Sequence, residues 1–395
     1  MGRTRLTSLA VAGAAALLLG SMPALAQSPA ASMAPAASPM SMDALVAAAT
    51  AEGNLSVIAL PHDWCGYGKV IDGFKAKYPG IAINEITPDA GSGDEIQAII
   101  ANKGNTGPAA PDVVDVGLSF GPDAVAQGLL APYKVAKWDE IPAAAKDPDG
   151  YWYGDYYGIL AFETNKAVQP NPPVAWTDLL KPDYKNQVAL AGDPRVSNQA
   201  IQAVYASAQA NGGSLDDAAP GLAFWRKVVD AGNYVPVIAK DGTIDAGATP
   251  VTIRWSYNAL AHRDAAAAAG TDEIAVNIPT GAPWGGVYVQ AISAFAPHPN
   301  AAKLWMEYLY SDEGQNLWLD GYCYPIRFDA MKAAGSIPAD TLAKLPDATG
   351  AVFPTLDQLN AASKVITGQW DAVVGVAPPT PAPAPTPAPS GSTAP

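Results

Sequence analysis

Cysteine, histidine and basic residues are scarce in this sequence. Its 395 residues include 2 Cys, 3 His and 23 Lys or Arg against 37 Asp or Glu, so the formal net charge is -14. Such a surface repels nucleic acids and anionic lipids, because both require clustered Lys or Arg. His62, His262 and His298 lack zinc-binding spacing, and no Cys pair supports them. The sequence therefore predicts no metal site, no cofactor and no nucleic-acid partner.

Long apolar runs are also missing, except near the N-terminus. Residues 9–19 are apolar, follow Arg3 and Arg5, and precede the small residues around Ala26. This pattern is typical of a cleaved secretory signal peptide over residues 1–26. The run is too short to cross a bilayer, and no Cys follows the cleavage site as a lipid anchor would require. We therefore expect an exported, soluble protein, either periplasmic or extracellular.

The two cysteines, Cys65 and Cys323, are far apart in the sequence. Export to an oxidising compartment and an even cysteine count favour one long-range disulfide, with two buried thiols as the alternative. Closing so long a loop would stabilise the fold by roughly 4 to 5 kcal/mol in the chain-entropy model.

Two low-complexity segments flank the region that can fold. Residues 27–42 are rich in Ser, Ala, Pro and Met, and residues 377–395 form a Pro-Ala-Thr tail. Neither segment can bury a core, so we expect the first to be a disordered linker and the second to be a disordered tail. The roughly 330 residues between them exceed the usual size of one hydrophobic core, which favours two domains.

Strands and helices alternate along this core. The predicted strands cover residues 55–60, 81–86, 112–116, 188–191, 251–255 and 286–296. The predicted helices cover residues 67–78, 94–102, 122–130, 199–210, 221–231 and 301–309, the last with Asn300 as its N-cap. This alternation predicts an α/β fold with right-handed crossovers and a mainly parallel sheet.

The stretch VALAGDPRVSNQAIQAVY, residues 188–205, ends a strand and begins a helix. Ligands of open parallel sheets collect at such positions, where the free N–H groups at Ser197 and Asn198 favour an anionic group. Arg195 adds a fork of donors suited to a carboxylate or phosphonate. In the alternative interpretation, Ser197 or Asn198 only caps the helix and Arg195 pairs with Asp193.

Other strand ends carry aromatic residues beside hydrogen-bonding groups, which is the usual lining of a small-molecule cleft. Aromatic residues such as Tyr288 are more often packing residues, but we include Tyr288 among the candidates. The ligand-binding candidates outside the 193–198 loop are His62, Asp63, Trp64, Ser119, Trp255, Tyr257, Asn258 and Tyr288.

Two other kinds of site compete with this interpretation. Residues 117–121 match the G-x-S-x-G elbow of a serine hydrolase with Ser119 as nucleophile, and His298 follows in triad order. Against an enzyme, no His-Gly-Gly segment precedes Ser119, prolines flank His298, and Pro122 delays the helix. Ferric iron would need Tyr oxygens, for which the pairs Tyr156/Tyr157 and Tyr322/Tyr324 are available, although structural roles explain them better.

Four longer segments carry a family resemblance. They are AEGNLSVIALPHDW, PDVVDVGLSFGPDAVAQGLLAPY, WTDLLKPDYKNQVALAGDPRVSNQAIQAVY and NAAKLWMEYLYSDEGQNLW. The sequence resembles the extracellular solute-binding proteins of bacterial ABC importers, in the branch that includes binders of ferric iron, thiamine, polyamines and aminoethylphosphonate. The likeness extends over nearly all of residues 42–376.

The resemblance implies a two-lobed periplasmic-binding-protein type II fold with hinge crossovers. It implies a first lobe of residues 43–160 and 278–320 and a second lobe of residues 161–277 and 321–376. It also implies a monomer without enzymatic activity that closes on a small solute and delivers it to an ABC transporter permease in the membrane. The candidate loops fall where this family lines its cleft.

The stretch IRWSYN departs from two subfamily patterns. Tyr257 has no adjacent Tyr, which weakens iron, and no acid follows Trp255, which weakens a polyamine. The remaining prediction is a small polar organic solute, anionic or zwitterionic, such as an aminophosphonate. Arg195 would hold its anionic group, Trp64 and Trp255 would cover its body, and Asp63 or Asp193 would take an amine. Polyamine, thiamine and ferric iron stay open as alternatives.

Overall fold

The computed structural model describes residues 40–271, 273–281 and 283–378. The predicted signal peptide and almost all of the predicted linker and tail lie outside these residues. Within them, no helix is both long enough and apolar enough to span a bilayer. The described residues from Ser41 onward form one compact unit.

Thirteen α-helices and ten strands make up the described residues, together with short 3-10 helices. The helices are α1 (Met42–Glu52), α2 (Tyr67–Lys77), α3 (Ser92–Ala101), α4 (Phe120–Ala126), α5 (Asn198–Ala210), α6 (Ala219–Asp230), α7 (Asp241–Asp245), α8 (Ser256–Ala269), α9 (Pro299–Leu309), α10 (Asp312–Asp320), α11 (Phe328–Ala334), α12 (Ala339–Leu342) and α13 (Leu356–Val373). The strands are β1 (Asn54–Ile58), β2 (Ala82–Ile86), β3 (Val113–Gly117), β4 (Leu130–Ala131), β5 (Tyr153–Asn165), β6 (Val188–Leu190), β7 (Val251–Trp255), β8 (Ile274–Asn277), β9 (Gly285–Ser293) and β10 (Tyr324–Pro325).

The α/β class is confirmed, but the prediction of a mainly parallel sheet is wrong. The strand order of the large sheet is β3-β9-β5-β7-β6, and only its β6–β7 pair is parallel. A separate parallel pair joins β1 to β2. The reason is that β5 and β9 run through the middle of the sheet antiparallel to their neighbours, and the sequence analysis did not recognise β5 as a strand.

β5 is the longest strand and connects the two halves of the sheet. Its first half pairs with β9 and β10, and its second half pairs with β7 and β8. Twelve of its 13 residues are buried, so it lacks the alternation that marks a strand with one wet face. A strand of this length that serves both halves is what a hinge crossover of a two-lobed fold requires.

The starts of α4 and α9 differ from their prediction. α4 begins at Phe120, so Pro122 sits inside its first turn and does not delay the helix. α9 begins at Pro299 and its N-cap position is His298, so Asn300 is not the cap. Instead the Asn300 N–H donates to the Glu52 carboxylate at 3.0 Å, and the Ala301 N–H donates to the same oxygen at 2.8 Å. A carboxylate from α1 thus satisfies the start of α9.

The Cys65–Cys323 disulfide is present, with Cα atoms 5.6 Å apart. It joins the loop before α2 to the residue before β10, and β10 pairs with Tyr156 and Tyr157 of β5. Residues 323–326 therefore contact elements of the predicted first lobe, although the sequence assigns them to the second. The lobe boundaries remain a prediction.

Candidate functional site

Five aromatic side chains from both halves of the sheet meet at the strand ends that the sequence singled out. We call them the aromatic cluster: Trp64, Tyr156, Trp255, Tyr257 and Tyr288. The Trp64 ring makes edge contacts with Tyr257 and Tyr288 at centroid distances of 5.4 and 5.6 Å, and Tyr156 stacks on Tyr288 at 5.5 Å. The candidate residues Trp64, Trp255, Tyr257 and Tyr288 are thus brought together, and Tyr156 was missed as a ligand-binding candidate.

Hydrogen bonds orient the indole groups of the cluster. Trp64 Nε1 donates to the Tyr156 hydroxyl at 2.6 Å, and Trp255 Nε1 donates to the Tyr288 hydroxyl at 3.3 Å. The Trp255 backbone N–H donates to the Gln199 side chain at 2.7 Å, which links the start of α8 to the start of α5. Because Trp255 and Tyr288 belong to β7 and β9, the second bond crosses between the two halves of the sheet.

Three glycines create the space in which the site side chains lie. A Cβ atom at Gly158 would stand 2.4 Å from Tyr257, one at Gly286 would stand 2.1 Å from Trp255, and one at Gly117 would stand 2.1 Å from Asn198. These distances are far below van der Waals contact, so any other residue would displace the side chain. Sequence analysis gave no role to Gly158 or Gly286.

Below the aromatic cluster lie three buried carboxylates, Glu95, Asp115 and Asp155, which we call the acidic floor. Their side chains are at most 4% exposed. Oδ2 of Asp115 accepts hydrogen bonds from the Tyr67 and Tyr156 hydroxyls at 2.7 and 2.8 Å. Glu95 accepts the Asp115 backbone N–H at 2.8 Å. Among the described residues, none of the three makes an ion pair with Lys, Arg or His.

Burial raises the pKa of each carboxyl in the acidic floor. It raises the pKa of Asp115 to about 7, although the hydrogen bonds from Tyr67 and Tyr156 oppose the shift. Burial, together with the negative charge of Asp115, also raises the pKa of Glu95 and of Asp155 well above the usual range. Burial therefore makes the charged form of each carboxyl costly, and no Lys, Arg or His among the described residues offsets that cost.

Several buried polar atoms near the cluster have no hydrogen-bond partner among the described residues. They are Asp115 Oδ1, Ser256 Oγ, the Tyr257 hydroxyl, Asn258 Oδ1 and Gln290 Oε1. Ser256, Tyr257 and Asn258 form the first turn of α8 directly after Trp255. Leaving a buried polar atom unpaired costs about 1 to 3 kcal/mol, and native proteins rarely tolerate several in one place. Their concentration here is typical of a ligand site.

The 193–198 loop has the local pairing that the sequence left as an alternative for Arg195. Its guanidinium donates to Asp193 at 2.8 Å, to Asp371 from Nε at 2.9 Å, and to the Val376 carbonyl at 2.8 Å. Arg195 thus ties the loop to the end of α13. Although burial lowers the Arg195 pKa, the bonds to Asp371 and Asp193 raise it above its ordinary value.

The remaining loop candidates occupy two environments. Ser197 is the N-cap of α5 but makes no side-chain capping bond, and Asn198 is buried against Gly117 of the facing strand β3. His62 is exposed and its Nε2 pairs with Glu85 at 2.6 Å. Asp63 is exposed as well. Asn198 thus lies at the contact between the two halves, while His62 lies at the rim.

A second group of charged side chains lies on the other side of the sheet centre, with Glu163, Arg254 and His262 buried and the two aspartates more exposed. We call it the paired cluster: Glu163, Asp241, Asp245, Arg254 and His262. Arg254 donates to Glu163 at 3.0 Å and to Asp241 at 2.6 Å. His262 pairs with Glu163 and, through Nε2, with Asp245 at 2.9 Å. Each carboxylate here has at least one basic partner, so two basic side chains offset three acidic ones.

The serine-hydrolase alternative is wrong. His298 Nδ1 does pair with Asp112 Oδ2 at 2.8 Å, but Asp112 precedes β3 and Ser119 follows it. At about 3.3 Å per residue, the two ends of this strand are roughly 20 Å apart. The nucleophile and the histidine therefore lie at opposite ends of β3, which rules out a triad.

Metal binding finds little support in the described residues. Within residues 40–271, 273–281 and 283–378, no group of three His, Cys, Asp or Glu side chains is arranged to hold a metal ion. Of the tyrosine pairs available for ferric iron, Tyr157 stacks on Tyr324 at 4.8 Å. Burial raises the pKa of both phenols, which opposes the phenolate form.

A cavity of about 330 Å³ lies away from the aromatic cluster. Trp176, Trp284 and the C-terminal end of α5 line it, next to the loop of residues 279–281. It shares no residue with the cluster or the acidic floor. It is therefore a separate feature near the crossover between β8 and β9.

Several solved structures resemble this fold. The periplasmic binding protein AfuA from Actinobacillus pleuropneumoniae, solved with fructose-6-phosphate, superposes with a TM-score of 0.65 at 19% identity. Iron-bound HitA from Pseudomonas aeruginosa gives 0.60 at 17% identity, and the periplasmic binding protein P5PA gives 0.64 at 19%. Each likeness covers 82% of this chain and 99% of the other. The fold is that of the two-lobed periplasmic binding proteins.

The sequence then gives the family. Residues 109–350 match the family of bacterial extracellular solute-binding proteins, and the chain belongs to this family. No curated protein matches it in sequence. The predicted resemblance to solute-binding proteins of ABC importers is confirmed, as is the two-lobed fold, and the family binds small-molecule solutes for a membrane permease.

Proposed function

We propose that the protein captures a small zwitterionic organic solute between its two lobes, at the aromatic cluster, and releases it unchanged to an ABC permease. The observation that carries the proposal is the set of buried, unpartnered polar atoms at Asp115, Tyr257 and Asn258. These atoms come from both halves of the sheet. A solute with hydrogen-bonding groups at both ends would satisfy them together only when the lobes are closed.

The anionic end of the solute is assigned to the helix starts. The first N–H groups of α5 and α8 have no partner within their own helix, and the helix dipole favours negative charge there. The buried side chains of Asn198, Ser256 and Asn258 flank these two starts. The sequence placed Arg195 in this role too. Arg195 would have to exchange Asp371 for the solute, so its part in binding remains a separate prediction.

Parting of the lobes gives the solute access. The rings of Trp64 and Tyr257 lie in direct contact across the two halves, so a solute enters only when they separate. The ligand then supplies the energy of closure by contacting both sides. An aminophosphonate fits this arrangement, and thiamine, polyamines and ferric salts belong in the comparison panel.

The test is ligand-dependent thermal stability of the purified monomer. A solute at a hundredfold excess over its Kd stabilises the fold by about 2.7 kcal/mol, and mass spectrometry of the recovered solute should show no chemical change. Tyr257→Phe removes one unpartnered hydroxyl and should weaken binding. Tyr184→Phe is the matched control, because its hydroxyl bonds the Asn171 carbonyl at 2.9 Å. Equal affinities of the two variants, or no stabilisation by any solute, would contradict the proposal.

A further inference from the structure

We infer that Asp115, enclosed by Trp64, Tyr257 and Tyr288, is a binding subsite for a protonated amine. The inference rests on the proposed function, since it names the group that the first lobe recognises in the captured solute. None of the sequence candidates included Asp115. Asp115 lies at the centre of β3, and its neighbours in the segment VVDVG and at Leu118 are apolar residues or glycine. This pattern is typical of a core strand.

Although burial raises the pKa of Asp115, the directions of its hydrogen bonds favour its charged form. An indole N–H can only donate, so the Tyr156 hydroxyl accepts from Trp64 and gives its own proton to Asp115 Oδ2 at 2.8 Å. Gln290 Nε2 likewise donates to the Tyr67 hydroxyl at 2.7 Å, and Tyr67 donates to the same oxygen at 2.7 Å. Two donor chains therefore end on one carboxylate oxygen, which stabilises its charged form.

The second oxygen of the same carboxylate is unsatisfied. Asp115 Oδ1 is buried and has no hydrogen-bond partner among the described residues. A buried carboxylate with a free acceptor attracts a charged donor more strongly than a neutral one, because the interior screens charge weakly. An ammonium N–H supplies both the missing hydrogen bond and the missing positive charge.

Among the described residues, no Lys, Arg or His forms an ion pair with Asp115. Arg254 is committed to Glu163 and Asp241, and Arg195 to Asp193 and Asp371. The acidic floor adds Glu95 and Asp155 on the same side, and none of its members has a cationic partner among the described residues. The electrostatic complement of this half of the cleft is therefore a cation from outside.

The aromatic rings favour an organic cation. In edge contacts, such as those of Trp64 with Tyr257 and Tyr288, the positive edge of one ring rests on the negative face of another. An ammonium group binds to the face of an aromatic ring more strongly than the edge of another ring does. A hard metal ion would require six or more oxygen ligands, whereas Asp115 Oδ2 is already bonded to two phenols.

The experiment compares ligand pairs that differ only in the amine. Suitable pairs are 2-aminoethylphosphonate with 2-hydroxyethylphosphonate, taurine with isethionate, and 4-aminobutyrate with 4-hydroxybutyrate. In calorimetric titrations at pH 8, the wild type should bind the amine of at least one pair at least tenfold more tightly than its hydroxyl partner. Asp115→Asn should abolish that preference. The control Asp178→Asn, which alters a carboxylate bonded to the Val174 and Ala175 N–H groups, should retain it.

A pH titration of amine affinity separates charge pairing from a structural role. An amine that displaces the proton of Asp115 should bind up to tenfold more weakly per pH unit below about 7. The dependence should vanish in Asp115→Asn. The titratable groups that face Asp115 are Tyr67 from α2, Glu95 from α3, Asp155 and Tyr156 from β5, Tyr257 from α8 and Tyr288 from β9.

The outcomes distinguish this inference from the function on which it rests. Equal affinity for both members of a binding pair, or an unchanged preference in Asp115→Asn, overturns the amine subsite and leaves solute capture standing. Absence of binding by every pair, together with no stabilisation by the wider panel, overturns the proposed function and the subsite with it.

Discussion

The acidic floor and the paired cluster both contain buried carboxylates, yet these carboxylates have different partners. In the paired cluster, Arg254 and His262 supply positive charge to Glu163 and its neighbours. In the acidic floor, Asp115 receives only hydroxyl donors. Burying charge is costly unless it is paired. The carboxylates of the paired cluster therefore have basic partners within the fold, whereas we propose that a ligand supplies the positive charge that the floor lacks among the described residues.

The largest effect is expected when Glu163 of the paired cluster loses a basic partner, as the carboxylates of the floor have none among the described residues. Arg254→Met leaves Glu163 buried with one basic partner fewer, and breaking a buried pair from one side costs about 3 to 5 kcal/mol. The free energy of unfolding, measured by urea denaturation, should fall by that amount. Arg263→Met on the following helix α8 is the control, because the Arg263 side chain is 42% exposed and pairs with its neighbour Asp264. A loss below about 1 kcal/mol in Arg254→Met would show that the cluster needs no compensation.

Removing the charge of Asp115 from the floor should raise the free energy of unfolding at high pH. Because the pKa of folded Asp115 is raised to about 7, the folded state binds more protons than the unfolded state between about pH 4 and 7. Stability is therefore lost as the pH rises through this window. The Asp115→Asn variant has no carboxyl to ionise at this position and avoids this loss. Its free energy of unfolding relative to wild type should therefore increase by roughly 2 to 4 kcal/mol from pH 4 to pH 8. A pH-independent difference between the two proteins would mean that Asp115 stays ionised throughout.

His262 gives a matching test in a different pH window. Burial lowers its pKa, but the hydrogen bond and charge of Glu163, with Asp241 and Asp245, raise it to about 9. A raised histidine pKa stabilises the fold below about pH 6.5, and the contribution disappears as the pH rises through 9. The wild type should lose roughly 2 to 3 kcal/mol relative to His262→Asn between pH 6 and 10. Equal pH profiles of wild type and His262→Asn would mean that the pKa of His262 is not raised in the folded state.

The sequence predicted the parts of the site that lie at strand ends. Trp64, Trp255 and Tyr257 stand directly after or before turn signals, where an aromatic residue beside polar groups is conspicuous. Asp115 was not among the sequence candidates and Tyr156 was considered only for iron, because both lie within strands and their hydrogen-bond partners, such as Tyr67, are distant in sequence. The sequence analysis assigned no strand to residues 153–165, so the crossover strand and the antiparallel sheet were not predicted.

The partners of Arg195 could not be predicted for the same reason. The sequence shows Asp193 two residues away, but Asp371 is 176 residues distant and reaches Arg195 only because α13 packs against α5 and α6. Sequence separation of this size carries no local signal. Pairing with Asp193 was foreseeable, and the tie to the C-terminal helix was not.

The smallest expected effect concerns the pair between Asp89 and Lys240, which joins the two halves at the cleft rim at 2.7 Å. Both side chains are largely exposed, and exposed pairs contribute about 0.2 to 1 kcal/mol. Asp89→Asn should therefore speed solute dissociation about 1.5- to 5-fold, measured by stopped-flow fluorescence. Its free energy of unfolding should not change detectably.

A measurement at high salt is the control for the Asp89–Lys240 pair. At 1 M ionic strength the Debye length falls to about 3 Å, so an exposed ion pair is screened, whereas the buried Arg254–Glu163 pair is not. The dissociation rates of wild type and Asp89→Asn should converge in 1 M NaCl, while the stability difference between wild type and Arg254→Met should persist. A salt-insensitive difference for Asp89→Asn would indicate that this residue acts through the shape of its loop, because only a charge effect is removed by counterions.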